Sequence, residues 1–206
     1  FEACYRWIRD YDPSRPIHYE QAMHTEFSDI MCPMYADYNW CENYLKNSPA
    51  KPLIQCEYAH AMGNSLGGFK EYWDLVRKYD RYQGGFIWDF VDQGFTRYED
   101  DGKVSFTYGG DYNNYDATDN SFNCNGFIAP DRTPQAQAYE VRRQYQSIWT
   151  KPVDLAAAKV EVYNENFFTS LAPYALEWEL VQNGKVTKAG RMENLDVAPQ
   201  QRKEIV

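Results

Sequence analysis

The sequence predicts an α/β chain in two parts. Residues 1–148 read as the second half of a (β/α)8 TIM barrel, and residues 149–206 as the start of an all-β, immunoglobulin-like sandwich. Three observations predict this. Short apolar runs that close on a polar or charged residue alternate with helical stretches through residue 146, the pattern of a parallel sheet with crossover helices. Beyond Lys151-Pro152 the apolar period changes from helical to two. At 206 residues the chain is shorter than the roughly 250 of a whole barrel, and its β segment is shorter than the roughly 100 of a sandwich. The first half of the barrel is therefore expected upstream of Phe1, and more of the sandwich beyond Val206.

The elements follow in order. Cys4, Trp7, Ile8 and Tyr11 form one helical stripe, which Asp12-Pro-Ser-Arg-Pro16 stops. Residues 16–19 and 29–35 read as strands, the second ending on Tyr35. A short helix over 40–46 and a turn over 47–52 lead to a third strand, 53–56. Gly63-Asn-Ser65 then starts a helix in which Leu66, Phe69, Trp73 and Val76 share a face, running to about residue 80. Residues 84–90 read as a fourth strand, with Phe86, Trp88 and Phe90 on one face. Residues 92–134 show no clear periodicity, and a loop that long in a compact domain is usually functional. Helical pattern resumes over 135–146. In the β segment Tyr174, Leu176, Trp178 and Leu180 alternate with other residues up to Asn183-Gly184, the signature of a type I′ hairpin.

Composition narrows the class. A net charge of −9 argues against nucleic acid or an anionic membrane surface as partner. Aromatic residues reach 17%, with 18 Tyr and 6 Trp, which suits a packed core and equally a cleft where flat rings meet sugar C–H faces. Cys4, Cys32, Cys41, Cys56 and Cys124 show no metal-ligand spacing, and their odd number reads as free thiols. The expected compartment is the cytoplasm, with the periplasm as the alternative.

The chemistry centres on Glu57. An apolar strand runs straight into this carboxylate, at the end of the strand where barrels and open sheets place their ligand sites. Tyr35 ends the preceding strand and can hydrogen-bond Glu57 and keep it ionised. His60 is near enough to reach the same cavity, and Trp88 points to the barrel interior. Glycosidic cleavage usually takes two carboxylates. Asp89 faces away from Trp88, and Asp92 reads better as a loop anchor, so Glu57 stands without a partner. Two other classes remain open on the residues alone. Glu57 and His60 have the i, i+3 spacing of a di-metal carboxylate site that Glu20 and His24 would complete, although that site wants four long helices. A non-catalytic sugar-binding module would also use aromatics and one carboxylate.

Cys56-Glu-Tyr-Ala-His-Ala-Met-Gly-Asn-Ser65 resembles the nucleophile segment of the β-galactosidases of glycoside hydrolase family 2. Asp12-Pro-Ser-Arg-Pro16, Cys32-Pro-Met-Tyr35, Gln83-Gly-Gly-Phe-Ile-Trp-Asp-Phe-Val-Asp-Gln93, Tyr108-Gly-Gly-Asp111, Asn125-Gly126 and Asp131-Arg-Thr-Pro134 recur in that family in this order. The resemblance covers nearly all of residues 1–150 and continues more weakly through Val162-Tyr-Asn-Glu-Asn-Phe-Phe168 and Leu195-Asp-Val-Ala-Pro199. It implies Glu57 as the nucleophile of a retaining glycosidase and Tyr35 as its hydrogen-bond donor. His60 and Asn125 match residues that bind galactose hydroxyls, and Trp88 matches the aromatic wall against the sugar. The Phe122 backbone carbonyl and Asn125 match ligands of a sodium ion, although the intervening Asn123-Cys124 departs from the family's usual pattern. The acid/base glutamate and the magnesium ligands are implied upstream of Phe1. The substrate implied is a β-galactoside such as lactose, and the full-length enzyme is expected to be a homo-oligomer. Relatives acting on glucuronides or mannosides are the nearest alternative, and the Ala-His-Ala-Met-Gly-Asn run favours galactosides over them. The fragment alone is expected to be inactive.

Overall fold

Four extended runs of the first unit, near residues 31–34, 53–58, 82–91 and 128, lie side by side in chain order with parallel pairing. Residues 31–34 bridge β1 (Leu53–Tyr58) at Met31–Leu53 and Met34–Glu57. β1 pairs with β2 (Tyr82–Ile87), and beyond β2 Val91 bridges Ile128. This computed structural model describes residues 1–47 and 49–206, which divide into two compact units, Phe1–Gln144 and Tyr145–Val206. Ser48, within the turn expected over 47–52, lies outside the described residues.

Helix α1 (Glu2–Tyr11) ends where Asp12-Pro13 breaks it. Residues 16–19 do not form the expected strand. Pro16 has no N–H, and the Ile17 N–H is taken by the Asp29 side chain at 2.7 Å instead of a ladder carbonyl. The run at 31–34 is likewise reduced to isolated bridges, because Pro33 cannot donate to the ladder. Helix α2 (Tyr38–Lys46) is capped by the Asp37 side chain, which accepts from Trp40 N at 2.8 Å. Helix α3 (Phe69–Lys78) begins three residues later than the apolar stripe implies, since Gly68 sits at φ +71° and interrupts helical backbone. β2 starts two residues earlier than expected and ends at Ile87, so Phe86, Trp88 and Phe90 do not share a continuous strand face. Phe86 and Phe90 are exposed, and Trp88 is half-buried.

The segment 92–134 is more ordered than its lack of periodicity implies. It contains an antiparallel hairpin, β3 (Phe95–Tyr98) with β4 (Val104–Thr107), whose turn places Gly102 at φ +82°. Helix α4 (Ala136–Tyr145) follows. Two buried clusters hold the helices to the sheet. Met31, Leu53 and Tyr82 pack with Cys41 and Leu45 of α2 and Leu75 of α3. Tyr58 and Ala61 pack with Leu66, Phe69 and Val141 of α4. Burying such apolar stripes against a sheet is the main stabilising term for short helices.

The second unit is antiparallel. β5 (Ile148–Asp154), β6 (Lys159–Asn164) and β9 (Arg202–Ile205) form one sheet in the order β5-β6-β9. β7 (Leu176–Gln182) and β8 (Lys185–Met192) form the expected hairpin, with Asn183 at φ +50° and Gly184 at φ +77°, as a type I′ turn requires. Val162, Leu171, Leu195, Val197 and Ile205 form the core of this unit. Among the described residues no helix is long and apolar enough to cross a membrane.

Candidate active site

Regular alternation along β1 would put Glu57 on the face of Leu53 and Gln55, under the helices. A bulge prevents this. Gln55 pairs with Gly85 and Tyr58 with Ile87, so β1 takes three steps where β2 takes two. The burial of β1 follows the extra residue: Leu53, Gln55 and Tyr58 are fully buried, while Ile54, Cys56 and Glu57 are partly exposed. Tyr58 packs its ring on Phe69 and Tyr72 of α3, at 5.5 and 5.4 Å. Glu57 is thereby turned to the face away from the helices, the kind of re-aiming for which bulges are used near active sites.

Residues from the neighbouring runs converge on that face. Tyr35 donates its backbone N–H to the Glu57 carbonyl at 2.8 Å, and its phenol lies within electrostatic reach of the Glu57 carboxylate. Burial first, and then the neighbouring Glu57 carboxylate, push the Tyr35 pKa up, so the phenol keeps its proton and can donate to that carboxylate. Tyr35 and Ala59 both hold left-handed backbone, at φ 52° and 50°. Strained residues of this kind persist where the surroundings over-determine them, and they cluster at functional sites.

His60 Nε2 lies 2.6 Å from Asn125 Oδ1, and the His60 ring stands 5.9 Å from those of Tyr35 and Phe122. Asn125 is buried, and its Nδ2 donates to the Phe122 carbonyl. The backbone of Trp88 is tied to both sides of the His60 segment. Its N–H donates to Tyr58 O at 3.1 Å, and its carbonyl accepts from Ala61 N at 2.7 Å. Asp89 N donates to Asn125 O at 2.8 Å. Glu57, Tyr35, His60, Trp88, Phe122 and Asn125, distant in sequence, thus meet at one end of the parallel ladder.

The side chains of the other carboxylate candidates are taken up by loop hydrogen bonds. Asp89 accepts from Phe90 N and Gln93 Nε2, and Asp92 accepts from Gly126 N and Gln135 Nε2, both at 2.7 Å. Asp92 is the loop anchor its position suggested. The di-metal reading fails. Among the described residues no three His, Cys, Asp or Glu side chains are grouped to hold a metal, and His24 lies against the Tyr44 ring. The Phe122 carbonyl accepts from Asn125 Nδ2 while Asn125 Oδ1 faces His60 Nε2 at 2.6 Å, so a cation shared by the two oxygens would require the Asn125 amide to turn over.

The model for "Glycosyl hydrolases family 2, TIM barrel domain" matches residues 1–150, and that for "Beta-galactosidase, domain 4" matches residues 160–206. "Beta-galactosidase 2" of Enterobacter cloacae is 39% identical over 99% of this chain and 21% of its own length. "Beta-galactosidase" of Photobacterium profundum is 41% identical over 92% of this chain and 20% of its own. Among solved structures, the FMN-binding beta-glucuronidase of Facaelibacterium prausnitzii L2-6 aligns with a TM-score of 0.45 at 13% identity, over 98% of this chain and 33% of that one. The chain spans about a fifth of the length of the curated relatives it matches. With a family model matched over residues 1–150 of 206, the chain belongs to glycosyl hydrolase family 2.

Proposed function

We propose that this chain is the carboxyl half of the catalytic barrel, with the start of the following sandwich, of a retaining β-galactosidase. The observation that carries the proposal is Glu57, aimed by the β1 bulge onto one face, with Tyr35 bonded to its backbone and the His60–Asn125 pair on the same end of the ladder. The β-galactosidase names of the relatives support galactosides as the substrate class.

In this reading a glutamic acid outside the chain protonates the glycosidic oxygen while a Glu57 oxygen attacks the anomeric carbon. The C–O bond breaks, the aglycone leaves as an alcohol, and the sugar is held as an ester of Glu57. The same outside residue then takes a proton from water, which attacks the anomeric carbon and releases the Glu57 carboxylate. Two inversions give net retention, which needs the two carboxyl groups about 5–5.5 Å apart. Tyr35 holds Glu57 in place through its phenolic O–H. His60 and Asn125 bind sugar hydroxyls, and Trp88 forms a wall against the ring. With the Asn125 amide turned over, its oxygen and the Phe122 carbonyl would hold a sodium ion, which would supply a fixed positive charge for a sugar hydroxyl. Magnesium ligands, a lactose-like substrate and homo-oligomeric assembly belong to the full-length enzyme.

Azide rescue tests the assignment. In the full-length enzyme Glu57→Ala is expected to be nearly inactive on a nitrophenyl β-galactoside. Added azide, entering the space of the lost carboxylate, should restore turnover and give the α-galactosyl azide. A β-galactosyl azide product would make Glu57 the acid/base instead, and unimpaired turnover without azide would remove it from the chemistry.

A further inference from the structure

One short segment reaches both halves of the His60–Asn125 pair. Gln135 Nε2 donates to Asp92 Oδ2 at 2.7 Å and to Gly126 O at 3.2 Å, and Asp92 Oδ1 accepts the Gly126 N–H at 2.7 Å. Gly126 directly follows Asn125. Two residues along, Gln137 Nε2 donates to Ala61 O at 3.2 Å and to Gly63 O. Ala61 directly follows His60. A primary amide has two N–H donors; Gln137 directs its amide at two carbonyls of one loop, and Gln135 ties the Asn125 loop to the Asp92 side chain. The loops in turn meet through the 2.6 Å contact between His60 and Asn125.

We propose that Gln135 and Gln137 are positioning residues that act as one clamp, setting the separation of His60 and Asn125 and through it the affinity for the galactosyl group. The proposal rests on the reading that these two residues bind sugar hydroxyls. Neither glutamine belongs to the group around Glu57, so each acts only through the loop it grips. What the clamp needs is donors. Gln137 faces two carbonyl oxygens, so a carboxylate of the same shape would repel what the amide attracts. Because the loops are linked side to side, loosening one is expected to loosen the other.

The test uses the full-length enzyme with Gln137→Glu, Gln137→Lys and Gln135→Ala. Gln137→Glu should raise the inhibition constant of galactose about tenfold, the effect of about one lost hydrogen bond. It should also speed amide hydrogen exchange in peptides covering residues 61–66 and, across the clamp, 122–127. Gln137→Lys keeps donors for both carbonyls and should return galactose affinity to within about threefold of the parent. Gln135→Ala should produce the same paired rise in exchange from the opposite loop. Exchange that rises only in the loop contacted by the altered residue, or Lys and Glu variants with equal galactose affinity, would overturn the clamp. Exchange coupled across the loops with unaltered galactose affinity would confirm the mechanical link and overturn its role in sugar binding. Absence of a galactosyl adduct on Glu57 in the parent enzyme would instead count against the galactosidase reading, and the exchange coupling would still decide the clamp.

Discussion

Replacing Gly126 by alanine is a demanding test of how the Asn125 loop is held. A Cβ built at Gly126 would lie 2.3 Å from Asp92 N, 2.5 Å from Val91 C and 2.8 Å from Val91 Cα, all of them backbone atoms. The φ of Gly126 is not in the left-handed region, so the substitution tests space alone. No rotamer change relieves a clash with backbone, and the two runs must part by about 1 Å to reach ordinary contact. That movement crosses the bonds that close the seam, Gly126 N to Asp92 Oδ1 at 2.7 Å and Asp92 N to Ile128 O at 2.9 Å. It also stretches the 2.6 Å contact between Asn125 and His60 beyond hydrogen-bond range. Overpacking of this kind costs about 1–3 kcal/mol of stability, and a 1 Å misplacement of a substrate-positioning group costs about 100-fold in rate. In the full-length enzyme Gly126→Ala should therefore lower kcat/KM on a nitrophenyl galactoside about 100-fold, with a measurable loss of resistance to thermal inactivation. Parental kcat/KM together with parental thermal resistance would refute the view that this seam sets the site.

Two further outcomes follow from the same geometry. Tyr35→Phe removes the phenol proposed to donate a charge-assisted hydrogen bond to Glu57, a bond worth about 1.5–3 kcal/mol. Steady-state kinetics should then show kcat/KM reduced by about 10- to 150-fold, and a change under twofold would remove Tyr35 from the mechanism. Asp29 ties α1 to the sheet region, accepting from Ile17 N at 2.7 Å and Tyr5 Oη at 3.0 Å and pairing with Arg9. Burial pushes the Asp29 pKa up, but the Ile17 N–H, Arg9 and Tyr5 outweigh it and hold the carboxyl below its ordinary value of about 3.8. A pKa lower in the folded than in the unfolded state adds stability above that ordinary value, and the gain disappears as pH falls through the folded pKa. Asp29→Asn should destabilise the protein at neutral pH and flatten the loss of stability below about pH 4; an acid limb as steep as the parent's in a chemical denaturation series would contradict this.

The elements that were legible in the sequence are those whose signal is local. The stripe of α1, the apolar face of α3 and the Asn183-Gly184 turn between β7 and β8 each follow from spacing or turn chemistry within a few residues. The hairpin of β3 and β4 was equally local, because Asp101-Gly102 separates two β-prone runs, but the glycine- and aspartate-rich surroundings masked it. The β1 bulge has no such signal. A two-residue period places Glu57 with Gln55, and only the register against β2 shows that Tyr58 takes that face instead. The residues around Glu57 could be named from motifs, yet what holds them could not. Gln135 and Gln137 are ordinary residues at the start of a helix, and their role arises from two loops separated from them by up to 76 positions.

The central claim is that Glu57 becomes covalently attached to the sugar. A 2-fluoro-galactosyl fluoride forms the glycosyl ester quickly and releases it slowly, because fluorine beside the anomeric carbon destabilises the oxocarbenium-like transition state. Incubation of the full-length enzyme with this reagent, followed by proteolysis and peptide mass analysis, should place one 2-fluoro-galactosyl group on Glu57. Label on another carboxylate, or complete inactivation without an adduct on Glu57, would contradict the account.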